Sequence, residues 1–253
     1  MRSLCGPITF AALAALVAGT VLAQTPPPRP SQPSRGLDQP LAKASGNSSD
    51  PDDPGEGWLP APPPFFGEDG NWGERMKIVW CLDRSGSMGA HGGTFPGPDG
   101  SPTSGSRWDR AVSETTIALS QLTVEWQFGI VTYSCTSRKF SPVLVDASDG
   151  VVASAIAWLN GQRPGGGTGT GPAQVEAFGL ADGGIPGTAT CWLLSDGSPN
   201  CGASGTSGHK ALALSANGQG HVLNTVGIGD SGIFAAFLQE LASGAGGVYV
   251  HID

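Results

Sequence analysis

The segment Ile78-Val79-Trp80-Cys81-Leu82-Asp83-Arg84-Ser85-Gly86-Ser87-Met88 decides how this chain is read. Its first half is a short unbroken apolar run, the pattern of a strand buried on both faces. Its second half sets one carboxylate and two hydroxyls at alternate positions directly after that strand. In a doubly wound sheet, ligands bind beyond the carboxyl ends of the strands, where the strand order reverses. Asp83, Ser85 and Ser87 therefore belong on a turn at the expected binding crevice. All three offer oxygen, the ligand type that a hard cation such as Mg²⁺ requires.

Downstream, apolar strands and helical patterns alternate. Trp108, Ala111, Val112, Thr115, Ala118, Leu119 and Leu122 recur at spacings of three and four, which predicts a helix. Strands are expected at residues 126–133, 142–145, 189–194, 221–228 and 248–252, and further helices near 150–159, after Gly171, and over 233–242. This alternation predicts an α/β fold: a doubly wound, mostly parallel six-stranded sheet with helices on both faces. About 180 residues is a comfortable size for one such domain.

Two further segments belong with the first. Gly165-Gly166-Gly167-Thr168-Gly169-Thr170 opens a helix, and Cys191-Trp192-Leu193-Leu194-Ser195-Asp196-Gly197 ends a strand on a carboxylate. A second strand-end Asp neighbours the first in a sheet of this topology. With these three elements in order, residues 76–252 resemble a von Willebrand factor type A (VWA) domain, and Val226-Gly227-Ile228-Gly229-Asp230 with Gly246-Gly247-Val248-Tyr249 resembles its bacterial C-terminal part. The resemblance implies a metal-ion-dependent adhesion site formed by Asp83, Ser85, Ser87, Thr168 and Asp196, Thr168 being chosen over Thr170 on the family pattern. It implies one ion, Mg²⁺ or alternatively Mn²⁺ or Ca²⁺, whose open position takes an Asp or Glu carboxylate from a protein partner.

The N-terminal part reads differently. Arg2, an apolar run over residues 8–22 and small residues before Gln24 match a signal peptide covering residues 1–23, cleaved near Ala23. The run is shorter than a membrane span needs, so no stable insertion is expected after cleavage. Residues 24–72 are rich in Pro, Ser, Gly and Asp and read as a disordered linker, leaving 73–253 as the domain. Trp58, Phe65 and Phe66 stand out in it, as groups that dock on the domain or as a recognition segment. The expected location is secreted, periplasmic or at the cell surface. Four cysteines then remain, Cys81, Cys135, Cys191 and Cys201. They allow three pairings, and a Cys135–Cys201 bond is conceivable because both loops face the metal end of the sheet. The net charge of −8 argues against nucleic acid or an anionic membrane as partner.

Between Met88 and the first helix lies an insert, residues 89–106, rich in Gly, Pro and Ser. Two readings stay open: a mobile loop without a role, or a device that shapes or shields the cation. A second loop, residues 198–210, leaves the same end of the sheet. Gly229-Asp230-Ser231-Gly232 looks like a serine-protease segment, but a helical pattern follows it and the other triad segments are missing. The four histidines are too scattered for zinc. Three functions compete: a metal-dependent protein-binding module, which the motifs favour; a metal-dependent hydrolase, whose only candidate bases are His91 and Asp99; and a structural domain that the cation merely stabilises.

Overall fold

The computed structural model describes residues 62–67, 70, 72–73, 75–229 and 232–253. The signal peptide expected over residues 1–23, the linker up to residue 61 with Trp58, and Asp230-Ser231 lie outside the described residues.

The apolar run forms strand β1, Lys77–Asp83, buried along its whole length. Chain order continues with a 3₁₀ turn over Gly86–Gly89, β2 (His91–Pro96), β3 (Pro102–Ser106), α1 (Arg107–Gln121), β4 (Gln127–Tyr133), β5 (Ser137–Lys139) and β6 (Val145–Asp146). Then come α2 (Asp149–Asn160), α3 (Thr170–Ala181), β7 (Thr190–Ser195), α4 (Gly205–Ala216), β8 (Val222–Ile228), α5 (Gly232–Gly244) and β9 (Tyr249–Ile252). Six strands follow the order β5-β4-β1-β7-β8-β9, and the two-residue β6 pairs with β4 beside β5. β1 pairs in parallel with both β4 and β7, and β7-β8-β9 continue in parallel. From β1 the chain moves first to β4 and later returns to place β7 on the other side. The reversal of strand order thus falls at β1, above the Asp83 turn.

Alternation along the strands feeds two cores. Ile78, Trp80 and Leu82 of β1 join Trp192 and Leu194 of β7 under α1 and α2. Val79, Cys81, Cys191 and Leu193 face α3, α4 and α5 through Phe178, Ala213 and Leu238. Cys81 and Cys191 are free thiols inside this second core. Phe65 is fully buried, with ring centroids 5.2 Å from Trp192 and 6.3 Å from Trp80. It docks on the domain, as one of its two readings expected.

Three segments differ from the expectation. The insert is a hairpin, β2 paired antiparallel with β3. Its turn is Gly97-Pro98-Asp99-Gly100, closed by the Gly100 amide donating to the Gly97 carbonyl at 2.8 Å, with Gly100 at φ 80°. Proline and a left-handed glycine suit such a turn, while the glycines around it hide the strand pattern. The strand expected at 142–145 is instead the pair β5 and β6, because the edge of β4 is covered in two short pieces. The loop expected over 198–210 ends at Ser204, where α4 begins; Gly205, Ser207 and Gly208 weaken the helical signal there.

Candidate metal centre

The register of the sheet builds the site. Leu82 pairs with Leu194, so Asp83 and Ser195 stand side by side at the strand ends. Both continue the face of Val79, Cys81, Cys191 and Leu193. The Ser195 hydroxyl donates to Asp83 Oδ2 at 2.5 Å, and the Ser85 amide donates to Asp83 Oδ1 at 2.7 Å. Asp83 is fully buried. That burial pushes its carboxyl up to about 7 against the two hydrogen bonds, and the nearby Asp196 charge adds to the rise.

The turn brings the hydroxyls round. Ser85 Oγ and Ser87 Oγ lie 3.1 Å apart, and Ser87 Oγ donates to Asp196 Oδ1 at 2.7 Å. Asp196 follows β7 directly and is 8% exposed. Four of the five sequence-expected residues are thus linked through side-chain oxygens or, for Asp83, through the Ser85 amide. The fifth, Thr168, sits on the glycine loop that backbone bonds press against the turn. Gly86 N–H donates to Gly166 O at 2.9 Å, and Gly165 N–H to Arg84 O at 2.8 Å. Thr168 is 2% exposed, and its hydroxyl makes no hydrogen bond among the described residues.

The donor set fits a hard cation. Oxygens adjacent on an octahedron of about 2.1 Å radius lie about 3 Å apart, the spacing of Ser85, Ser87 and Asp196 here. Hydrogen-bonded oxygens share that spacing, so the weight falls on chemistry: two carboxylates and three hydroxyls, one of them without a hydrogen-bond partner among the described residues. No group of three or more His, Cys, Asp or Glu gathers among the described residues. A soft or nitrogen-seeking metal finds no set of ligands there.

Three participants escaped the sequence reading. Ser195 was in view as a strand-end residue but not as the partner of Asp83. Asn200 flanks Thr168 from both sides: the Thr168 amide donates to Asn200 Oδ1 at 2.9 Å, and the Asn200 amide donates to Thr168 O at 2.8 Å. No local signal marks Asn200. Arg107 donates from Nη1 to Asp196 Oδ2 at 2.8 Å, an ion pair whose carboxylate is fully buried. The hairpin delivers it: Arg107 N–H bonds Ala90 O at 2.8 Å, and the Ser106–Asp109 capping box starts α1 there. Its guanidinium lies against Gly229, where a Cβ would approach Nη2 to 2.4 Å. An arginine in the first turn of a helix opposes the helix dipole, and this was the available clue. With both carboxylates ionised, Arg107 leaves the cluster one net negative charge.

Cys135 and Cys201 form a disulfide, joining the loop after β4 to the loop after β7. His91 Nδ1 accepts from the Gly93 amide, and the Asp99 carboxylate accepts from the Ser101 amide and hydroxyl within the hairpin tip. His209 and His221 are fully buried; each Nδ1 accepts a backbone amide, from Gly171 and from Ala189.

No family model and no curated protein matches the chain. Among solved structures it is similar to a von Willebrand factor type A protein from Catenulispora acidiphila, with 21% identity and a TM-score of 0.57 over 71% of this chain. It spans 39% of the length of that protein. It is also similar to BatB from Bacteroides thetaiotaomicron, with 18% identity and a TM-score of 0.53, over 70% of this chain and 90% of that one. A third is the pilus adhesin SpaC from Lactobacillus rhamnosus GG, with 16% identity and a TM-score of 0.52, over 71% of this chain and 28% of that one. The fold is that of VWA domains. Among the described residues no helix is long and apolar enough to cross a membrane.

Proposed function

We propose that this chain is an exported protein-binding module whose VWA domain holds one divalent cation, Mg²⁺ in the first instance, and grips an acidic side chain of a protein partner. The observation that carries the reading is the convergence of Asp83, Ser85, Ser87 and Asp196 from two strand ends, with Thr168 on the glycine loop whose backbone bonds the same turn. The residues that would hold the ion are these five. When bound, a divalent cation supplies an electrophilic position for a partner's carboxylate oxygen. The chain's own residues do the rest. Ser195 and the Ser85 amide hold Asp83 in place, and Arg107 offsets the Asp196 charge so that an anion is not repelled.

Export rests on the signal-peptide pattern of residues 1–23 and is supported by the disulfide, since such bonds persist in oxidising compartments. The similarity in fold to the pilus adhesin SpaC is consistent with adhesion. The hydrolase reading gains no observation, because both of its candidate bases are hydrogen-bonded inside the hairpin. The test is capture of a partner from the native extract with Mg²⁺ and with EDTA, with Asp83→Ala as control. Capture is expected only for the unaltered protein in Mg²⁺. Capture that survives both EDTA and the substitution contradicts the proposal.

A further inference from the structure

Thr168 differs from the other four candidate ligands in what holds it. Asp83 and Asp196 end strands inside the sheet, and Ser85 and Ser87 lie on the turn that directly follows one. Thr168 sits in a run of glycines, the residues with most conformational freedom to lose. Two neighbouring loops nevertheless grip it. The loop after β4 contributes Ser134 O, which accepts from the Gly169 amide at 2.8 Å. The loop after β7 contributes Asn200, bonded to both the amide and the carbonyl of Thr168, and the Cys201 amide, 3.3 Å from Thr168 O. The Cys135–Cys201 bridge ties these two loops together directly over the glycines. A Cβ on Gly167 would meet Asn200 Oδ1 at 2.4 Å, Cys135 Sγ at 2.9 Å and Cys201 Sγ at 3.2 Å. Gly167 is a glycine because the bridge and Asn200 close on it.

We propose that Asn200, held by the Cys135–Cys201 disulfide, is the positioning residue for Thr168, so that the bridge must be oxidised for the cation site to be complete. The inference rests on the proposed cation-binding function and adds a condition to it. The other four ligands do not depend on the bridge, so reduction leaves a partial site rather than an unfolded one. Reduction by a dithiol breaks the Sγ–Sγ bond, places two electrons and two protons on the sulfurs, and leaves the reductant as its own cyclic disulfide. Asn200 then keeps its side chain but loses its anchor.

The test uses two readouts on the full chain. The first is Mg²⁺ affinity by calorimetry, with the metal alone, on the oxidised protein, the dithiol-reduced protein with a thiol titre higher by two, the double variant Cys135→Ser/Cys201→Ser, and Asn200→Ala. A loss of about tenfold or more is expected in each altered form, with Leu241→Ala in α5 as a destabilised control that keeps its affinity. The second is amide hydrogen exchange without metal. Thr168 and Gly169, whose amides bond Asn200 and Ser134, should exchange faster after reduction, while β1 and β7 keep their protection. Equal Mg²⁺ affinity in oxidised and reduced protein overturns the inference, as does unchanged exchange at Thr168 and Gly169. If the oxidised protein takes no Mg²⁺ yet its loop loosens on reduction, the cation-binding function is what fails, and the positioning role of Asn200 stands on the exchange alone.

Discussion

Asp83 and Arg107 set the electrostatics of the site at the scale of single residues. Burial holds the Asp83 carboxyl up at about 7, against an ordinary value of 3.8. Between those values the folded, cation-free chain keeps a proton that the unfolded chain has lost, so this group's contribution to stability falls as pH rises. In EDTA, the melting temperature of the native protein should therefore drop more between pH 5 and pH 8 than that of Asp83→Asn. Identical slopes contradict this. Arg107 occupies Asp196 Oδ2, and in the proposed site it would work against cation binding. Arg107→Gln should lower the melting temperature without metal, because it strands a buried carboxylate. It should also tighten Mg²⁺ roughly tenfold, because one opposing charge is gone. Gly229→Ala should resemble it in direction, since a Cβ at φ 86° takes the space of the guanidinium. Weaker Mg²⁺ binding in Arg107→Gln would show that Arg107 mainly positions Asp196.

At the scale of elements, the docked N-terminal segment and the disulfide are the parts that lie outside the regular strand and helix pattern. Phe65→Ala empties a fully enclosed aromatic site between Trp80 and Trp192 and should cost about 3–5 kcal/mol in denaturant unfolding. A loss below about 1 kcal/mol would mean that the segment only rests on the domain. The bridge closes a loop of 66 residues, and its removal should cost about 4 kcal/mol by the chain-entropy relation. The apolar runs of β1, β7 and β8 and the three-four spacing of α1 are strong signals, because burial on both faces or on one stripe leaves little freedom of composition. The hairpin of residues 91–106 and α4 were not legible. In the first, glycine and proline serve a twisted two-stranded ribbon that has no apolar alternation; in the second, small residues start a helix that buries little beyond His209 and Ala213. The strand-end placement of Asp83 and Asp196, two of the candidate ligands, was legible because Asp83 directly follows an unbroken apolar run and Asp196 follows another after Ser195. Arg107 and Asn200 were not, because each reaches the site from a segment whose position only the fold determines.

At the scale of the whole molecule, the order β5-β4-β1-β7-β8-β9 explains why residues 113 positions apart in sequence, Asp83 and Asp196, share one site. The reversal at β1 opens the crevice, and the parallel pair β1-β7 aligns both strand ends at its floor. The first residue of α1 then brings one charge to it, and the bridged loops hold Thr168. The proposed function requires that this crevice take a divalent cation. Calorimetric titration of the purified, oxidised protein with Mg²⁺ measures that directly. The expected result is one ion per chain, with binding abolished in Asp83→Ala and sharply weakened in Thr168→Ala. No binding of Mg²⁺, Mn²⁺ or Ca²⁺, or binding that both substitutions leave unchanged, would contradict it.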